Sequence, residues 1–236
     1  MKALSFATRL YVSDINMPEE FFAVWYDKMP EARRRRCDRF RFDADKKRCI
    51  AAYALLVHAL GDLGISCTDT LLIAEGEDGK PYLTDIPVCF NMSHAKERVA
   101  LALSPQDVGC DVECRCDDAL KIAKRFFAPE EYAYLESIED ADMLGREFTG
   151  IWTMKESVIK CCGEGIRRVL SDFSVTDERG RRNNTVTLPD RDERYHIKEF
   201  ESEGGYCYSI CGIYKNTEDD LRRVCLDESG RSKWER

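Results

Sequence analysis

The sequence predicts an α+β protein built from two packed subdomains. Three observations support this fold class. Helical and strand patterns occur in both halves of the chain, no linker rich in proline, glycine or serine separates them, and 236 residues suffice for two small domains. We place one subdomain at 1–105 and the other at 106–236, and the cleft between them is the default ligand site.

The first half is expected to begin with helices and continue with short strands. A helix over 43–62 can be capped by Asp43, has apolar residues at helical spacing and ends at glycines. The basic segment 31–41 before it is also expected to be helical. Strands are predicted at 71–74, 81–83, 90–93, 99–103 and 108–113.

The second half repeats this mixture of elements. Pro129 suits the first turn of a helix, where the amide hydrogen that proline lacks is not needed, and Gly163 is expected to end another helix. Helices are predicted at 118–127, 130–137 and 148–162. Strands are predicted at 173–176, 185–188, 195–200 and 206–214.

Composition indicates a globular protein and restricts its partners. Hydrophobic residues make up 44% of the chain, which is too many for a disordered protein. The net charge of −8 disfavours non-specific binding to nucleic acid, because such binding depends on neutralising phosphates. A signal-peptide pattern and an apolar segment of roughly 18 residues are both missing, so we predict a cytoplasmic protein without a membrane partner.

The 12 cysteines do not form a zinc-binding pattern. Cys110, Cys114 and Cys116 form one cluster, but the CxxC pairs and histidine partners of a zinc site are missing. In a reducing compartment, we expect such thiols to serve as small hydrophobic side chains. A structural metal or a disulfide is the alternative.

Two features indicate a phosphate-bearing ligand. Residues 31–48 carry nine basic and four acidic side chains, and guanidinium groups bind phosphate through paired, charge-assisted hydrogen bonds. A solvated helix face is the alternative. Ser93 and His94 follow a strand, and adjacent residues of an extended chain diverge, so we interpret them as ligands of an anion rather than as a nucleophile and its base.

Two carboxylates of one strand indicate a cation, and a helix farther along the chain carries polar residues on one face. Asp111 and Glu113 are two positions apart in a strand and lie on one face, where a bound Mg²⁺ relieves their repulsion. Trp152, Glu156 and Lys160 share one face of a helix, because they are four residues apart. The alternatives are a surface strand and an amphipathic helix with a Glu–Lys pair.

In this order and at this spacing, the motifs resemble those of the 4′-phosphopantetheinyl transferases of the surfactin-synthetase-activating kind. The matching segments are 79–81 (GKP), 90–94 (FNMSH), 109–113 (GCDVE), 123–132 and 152–160. The resemblance implies a pseudo-dimer of two similar α/β halves with coenzyme A (CoA) in the cleft. It also implies transfer of the 4′-phosphopantetheine arm of CoA to a carrier-protein serine, with release of 3′,5′-ADP.

The resemblance also implies roles for individual residues. Mg²⁺, with Mn²⁺ as the alternative ion, is expected at Asp111, Glu113 and Glu156. CoA is expected at Arg33, Arg36, Arg48, Lys80, Pro81, Ser93 and His94. Lys160 is expected to face the pyrophosphate, with Lys155 as a further contributor. The base that deprotonates the serine is expected to be Glu156 first and Glu131 second, and a metal-bound water or hydroxide is the third alternative.

The expected partners are apo acyl or peptidyl carrier proteins, which a monomeric enzyme would modify. The alternatives are a non-catalytic homologue that binds CoA or carrier proteins, and a nucleic-acid-binding module that uses the arginine-rich helix. The intact set of Asp111, Glu113 and Glu156 argues against the first, and the negative charge argues against the second.

Overall fold

The computed structural model describes residues 6–66, 71–76, 79–116, 118–213, 222–226 and 232–235. Within these ranges the chain is a mixed α/β protein with six α-helices and eleven strands. In chain order they are β1 (Arg9–Asp14), α1 (Glu19–Lys28), α2 (Glu31–Asp38), α3 (Asp43–Asp62), β2 (Ile73–Glu75), β3 (Pro81–Leu83), β4 (Cys89–Ala95), β5 (Arg98–Ser104), β6 (Val108–Cys114), α4 (Ala119–Phe126), α5 (Pro129–Glu136), α6 (Ala141–Cys162), β7 (Thr185–Thr187), β8 (Arg194–Glu203), β9 (Tyr206–Gly212), β10 (Arg222–Leu226) and β11 (Ser232–Glu235).

The strands form two larger sheets and one hairpin. The first sheet has the order β11-β10-β1-β5-β4, the second has the order β6-β9-β8-β7, and β2 pairs with β3. Strands β4 and β6, which end their respective sheets, are joined by a side chain. Asn91 Oδ1 accepts a hydrogen bond of 2.9 Å from the backbone amide of Cys110.

Each sheet carries helices on one face. Helices α1–α3 pack on the first sheet, where Phe21, Leu56 and Leu101 are fully buried. Helices α4–α6 pack on the second sheet around Ile151 and Val158. None of the described helices is both long and apolar enough to cross a lipid bilayer.

A third apolar cluster joins the opposite faces of the two sheets. Alternate residues of β1 and β5, such as Leu10 and Ala102, meet alternate residues of β6 and β9, such as Cys110, Val112 and Tyr208. Because side chains alternate along a strand, the intervening residues of β6 point the other way, toward the helices. This alternation directs the carboxylates of β6 to the helical side of the second sheet.

The predicted helices are confirmed with shifted ends. Helix α3 covers the predicted 43–62, whereas α6 begins at Ala141 instead of 148. Asp140 caps α6 by accepting a 2.6 Å hydrogen bond from the amide of Met143, and Gly163 ends it with a φ of 79°. The strand β1 and the helix α1 were not predicted.

The strand predicted at 173–176 is wrong. Thr176 forms only an isolated bridge with Arg182, and Leu170–Asp172 is a 3₁₀ turn. The amide of Val175 donates to the Glu131 carboxylate over 2.8 Å rather than to a neighbouring strand. The predicted strand over 206–214 is confirmed as far as residue 212, and Tyr214 lies outside the described residues.

The division of the chain after residue 105 remains a prediction, but strands from the second half cross it. Strand β10 runs parallel to β1 and lies in the first sheet, with β11 beside it. Asp62 of α3 anchors this junction, since its Oδ2 accepts hydrogen bonds from Tyr11 (2.8 Å), Arg9 (3.0 Å) and Arg222 (2.6 Å). Burial, together with the Asp62 carboxylate, raises the pKa of Tyr11 and keeps its hydroxyl a donor.

Replacing Asp62 with asparagine should therefore lower the free energy of unfolding by about 2 kcal/mol, because hydrogen bonds to a charged group are lost at a partly buried site. Urea denaturation measures this change. Asp27→Asn, at an exposed position of α1, is the control and should leave stability within about 0.5 kcal/mol. Equal stability of the two variants would contradict an anchoring role for Asp62.

Candidate functional site

The site depends on an unusually close approach of α6 to β6. A Cβ atom at Gly109 would lie 2.1 Å from the Ser157 carbonyl oxygen and 2.4 Å from the Cys161 amide nitrogen. Only a glycine leaves room for the helix backbone at this distance. As a result, Asp111, on the same face of β6 as Gly109, lies directly beside Lys160 of α6.

A triad of two buried side chains and the half-buried Lys160 occupies this contact. Asp111 Oδ1 accepts hydrogen bonds from Ser93 Oγ (2.7 Å) and from Lys160 Nζ (2.6 Å), and Lys160 Nζ also lies 2.9 Å from Ser93 Oγ. Asp111 is 2% exposed and Ser93 is 8% exposed. Asp111 Oδ2 is buried and has no hydrogen-bond partner in the part of the chain that the structure describes. A buried, unpaired carboxylate oxygen is costly and is typical of a place where a ligand binds.

Two more carboxylates, Glu113 and Glu156, complete what we call the carboxylate cluster with Asp111. Burial, and then the charges of Asp111 and Glu156, raise the pKa of Glu113 to about 7. Burial and the charge of Asp111 also raise the pKa of Glu156. Burial is the largest influence on Lys160 and opposes its charge, but Asp111, Cys110 and Glu156 together outweigh burial, so the pKa of the ammonium is raised. The cluster thus concentrates negative charge that one lysine offsets only in part.

A basic cavity of about 800 Å³ lies between α2 and the β2–β3 hairpin. Its lining includes Arg33, Arg36, Glu75 and Gly79. Arg36 pairs with Glu75 at 2.7 Å, and burial lowers the pKa of Arg33, whose Nε has no hydrogen-bond partner within the described residues. The cavity therefore offers guanidinium groups to an anion.

Further basic side chains lie at the β4–β5 turn and at the end of α6. Arg48 donates to the carbonyl of Lys96 at the β4–β5 turn over 2.7 Å. His94 is exposed, and its pKa is lowered by desolvation and by the charges of Arg48 and Lys160, so it lies close to both. Lys80 Nζ donates to the Cys161 carbonyl at the end of α6 over 3.2 Å. Arg48 and Lys80, which also pair with Asp45 (2.5 Å) and Asp107 (3.6 Å), form a cationic surface beside the acidic one, whereas the lowered pKa of His94 leaves it uncharged at neutral pH.

Comparisons with known proteins match the part of the chain that contains the carboxylate cluster. The sequence model of the 4′-phosphopantetheinyl transferase superfamily matches residues 107–211. The chain is 31% identical to the 4′-phosphopantetheinyl transferase Sfp of Bacillus subtilis over 197 residues, which cover 83% of this chain and 87% of that protein.

The chain belongs to the 4′-phosphopantetheinyl transferase family.

Other relatives support the same family. The 4′-phosphopantetheinyl transferase gsp of Aneurinibacillus migulanus is 31% identical over 63% of this chain and 61% of its own length. The 4′-phosphopantetheinyl transferase AcpT of Escherichia coli is 33% identical over 53% of this chain and 63% of its own length. The predicted resemblance to the Sfp-like transferases is confirmed, and the protein is a transferase enzyme.

The structure does not support the predicted catalytic roles of Glu131 and Lys155 in this transferase. Both side chains are completely buried and form an ion pair of 2.7 Å. The carboxylate oxygens of Glu131 also accept hydrogen bonds from the amides of Ala128 and Val175 and from the hydroxyl of Ser174. Lys155 also donates to the Phe173 carbonyl. A carboxylate that is sealed in this way cannot meet an incoming serine.

Of the other predicted residues, the structure brings Ser93, Lys160 and the three residues of the carboxylate cluster together, and it adds details that the sequence did not reveal. In the sequence Gly109 is only one residue of a motif, and its role is visible only once a Cβ is placed against α6. Glu75 had no signal in the sequence, because its pairing with Arg36 joins elements far apart in the chain. The ten cysteines whose side chains the structure describes are free thiols, and six of them are buried, which fits small apolar side chains.

Proposed function

We propose that the transferase moves the 4′-phosphopantetheine arm of CoA onto a serine of an apo acyl or peptidyl carrier protein and releases 3′,5′-ADP. The observation that carries the proposal is the carboxylate cluster, with its unpaired Asp111 oxygen, beside a cationic surface. In this reaction a bond forms between the serine oxygen and the phosphorus that bears the pantetheine. The bond from that phosphorus to the oxygen shared with ADP breaks.

We also propose a CoA orientation that follows from charge. The guanidinium groups of Arg33 and Arg36 in the basic cavity suit the 3′-phosphate end of CoA. Lys80 and Pro81, which follow the lining residue Gly79 in the chain, would border this end of CoA. In this orientation Arg48, His94 and Lys160 would contact the part of CoA between that cavity and the carboxylate cluster. Lys160 would face the pyrophosphate, and Glu156 is the proposed acceptor of the serine proton because it is half-buried at the cluster.

We propose a divalent metal, Mg²⁺ or Mn²⁺, at Asp111, Glu113 and Glu156. The donor set fits, because hard carboxylate oxygens suit these ions and Asp111 Oδ2 is buried without a partner. Among the described residues, no three His, Cys, Asp or Glu side chains are arranged to hold a metal as they stand. The proposal therefore requires Glu113 and Glu156 to reorient on binding. When bound, the ion would neutralise charge on the phosphates.

The architecture proposed for this function is a monomeric pseudo-dimer with CoA between its halves. Three helices on the first sheet and three on the second support it. The junction at which β4 of the first sheet meets β6 of the second supports the placement of CoA, because the triad of Ser93, Asp111 and Lys160 draws residues from both sides of it. This architecture would place the reacting phosphate at the boundary between the two halves.

The test is incubation of the purified protein with CoA, Mg²⁺ and a panel of apo carrier proteins, followed by intact mass measurement. We expect a carrier to gain the mass of one phosphopantetheine group, and excess EDTA to prevent the gain. A carrier whose acceptor serine is replaced by alanine is the matched control. Binding of CoA without modification of any carrier would favour the non-catalytic alternative, and full activity in EDTA would exclude the metal.

A further inference from the structure

We propose that Glu75 is a built-in competitor of the 3′-phosphate of CoA. Its carboxylate pairs with one of the guanidinium groups proposed for that phosphate, so an incoming phosphate must displace it. Glu75 would therefore limit the preference of the enzyme for CoA over dephospho-CoA, which lacks the 3′-phosphate. The inference rests on the proposed function, which assigns the basic cavity to the 3′-phosphate end of CoA.

The β2–β3 hairpin places Glu75 in the lining of the basic cavity. Ile73 and Glu75 are two residues apart in β2, so they lie on one face of the strand, and both line the cavity. Glu75 is in register with Pro81 of β3, and residues directly opposite each other in an antiparallel pair share a face. Glu75 thus lies beside Pro81, which the proposed function places at the same end of CoA.

The charge of Glu75 acts on both arginines that are proposed to bind the phosphate. Its Oε1 lies 2.7 Å from Nη1 of Arg36. Burial, and to a smaller extent the charge of Arg36, lower the pKa of Arg33, whereas the charge of Glu75 acts in the opposite direction. Two guanidinium groups that repel each other are therefore accompanied by one carboxylate. A phosphate would satisfy the same two groups.

The ion pair between Glu75 and Arg36 is weak enough for a ligand to open. Both side chains are 57% exposed, and ion pairs at exposed sites contribute little stability because water and salt screen them. A phosphate carries more negative charge than a carboxylate and forms two parallel hydrogen bonds with a guanidinium group. It should therefore replace Glu75 at Arg36, but the displaced carboxylate, which is tethered to β2, would still repel it. Both effects lower affinity only for ligands that carry the 3′-phosphate.

The test compares the wild type with Glu75→Gln. Glutamine keeps the shape of the side chain and removes its charge. The affinities for CoA and for dephospho-CoA are measured by calorimetry without a carrier protein. We expect CoA to bind about three- to tenfold more tightly to Glu75→Gln, and dephospho-CoA to bind within about twofold of the wild type. The gain for CoA should shrink at roughly 1 M salt, where the Debye length is about 3 Å.

Glu19→Gln is the matched control. Glu19 of α1 is also an exposed carboxylate that pairs with a cation, Lys47 of α3, but it lies outside the lining of the basic cavity. The variant makes the same change in net charge, so its affinity for CoA should stay within about twofold of the wild type. This comparison separates a local effect at Arg36 from the general effect of a less acidic protein. Circular dichroism confirms that both variants are folded.

Several results would overturn the inference. Unchanged or weaker CoA binding by Glu75→Gln would remove the competition, and an equal gain for CoA and dephospho-CoA would show that Glu75 does not act on the 3′-phosphate. An equal gain in Glu19→Gln, or a gain that high salt leaves undiminished, would remove the local electrostatic cause. These results count even if the wild type modifies carrier proteins. Failure of the proposed function is read separately, as no modification of any carrier protein by the wild type.

Discussion

Replacing Glu156 with glutamine should lower the rate of carrier modification by roughly 10²–10⁴-fold, the usual contribution of a general base, while the fold stays intact. Glutamine has nearly the same shape but neither accepts the serine proton nor carries the charge that a bound cation needs. The raised pKa of Glu156, caused by burial and by Asp111, is typical of a carboxylate that exchanges protons. Turnover is measured by intact mass of the carrier over time, and folding by circular dichroism.

Titration with Mg²⁺ separates the two roles of Glu156. If the residue is only a metal ligand, a concentration of Mg²⁺ far above its dissociation constant should restore much of the rate. If it is the base, the rate should stay low at saturation. A rate near that of the wild type at ordinary Mg²⁺ would refute both roles.

Glu131→Gln is the matched comparison, because the sequence assigned this residue the same chemistry. The structure predicts a different outcome: breaking its buried ion pair with Lys155 should lower the free energy of unfolding by about 3–5 kcal/mol. The molecules that remain folded should modify carriers at nearly the wild-type rate. A stable Glu131→Gln protein with a large loss of turnover would restore Glu131 as the base.

Replacing Gly109 with alanine is expected to have the second large effect. The new methyl group would meet the carbonyl of Ser157 at 2.1 Å and the amide of Cys161 at 2.4 Å, and both are backbone atoms that cannot turn aside. Helix α6 must then move away from β6. Because a displacement of about 1 Å can cost roughly 10²-fold in rate, we expect transfer to fall by about that factor, together with about 1–3 kcal/mol of stability from overpacking.

The control for this substitution is Gly61→Ala in α3, where an added Cβ has no atom within 4 Å. Alanine is the better helix former, so the variant should be at least as stable as the wild type and equally active. Thermal denaturation and the carrier assay measure both effects. A Gly109→Ala protein with the melting temperature and rate of the wild type would show that the approach of α6 is not needed.

Sequence patterns were most informative where residues close together in the chain determine the structure, as in helical periodicity and strand alternation. The apolar periodicity of 43–62 predicts α3 correctly, and strand alternation places Asp111 and Glu113 on one face of β6. The role of Lys155 was missed, because Lys155 and Lys160 belong to one motif and only packing separates them. Lys155 turns into the interior toward Glu131, whereas Lys160 turns toward Asp111.

The error at 173–176 has a related physical cause. The segment has the composition of a strand, but the amide of Val175 donates to the buried side chain of Glu131, and the Val175 carbonyl accepts from Asn183 in the following turn. A strand requires a neighbouring strand as its partner, and no local pattern specifies which group takes that place. The side-chain partners of Arg36 and Asp62 escaped prediction for the same reason.

The return of β10 to pair with β1 has a consequence for the order in which the protein forms. The ribosome synthesises β1 near the start of the chain and β10 (residues 222–226) near the end. One edge of β1 therefore lacks its partner strand during most of synthesis. Contacts so distant along the chain slow folding, and an open strand edge can recruit the wrong partner in the meantime. Strand β4, at the other edge of the same sheet, needs only β5, with which it forms a hairpin. The nascent chain can therefore assemble the Ser93 side of the site well before the sheet that supports it is closed.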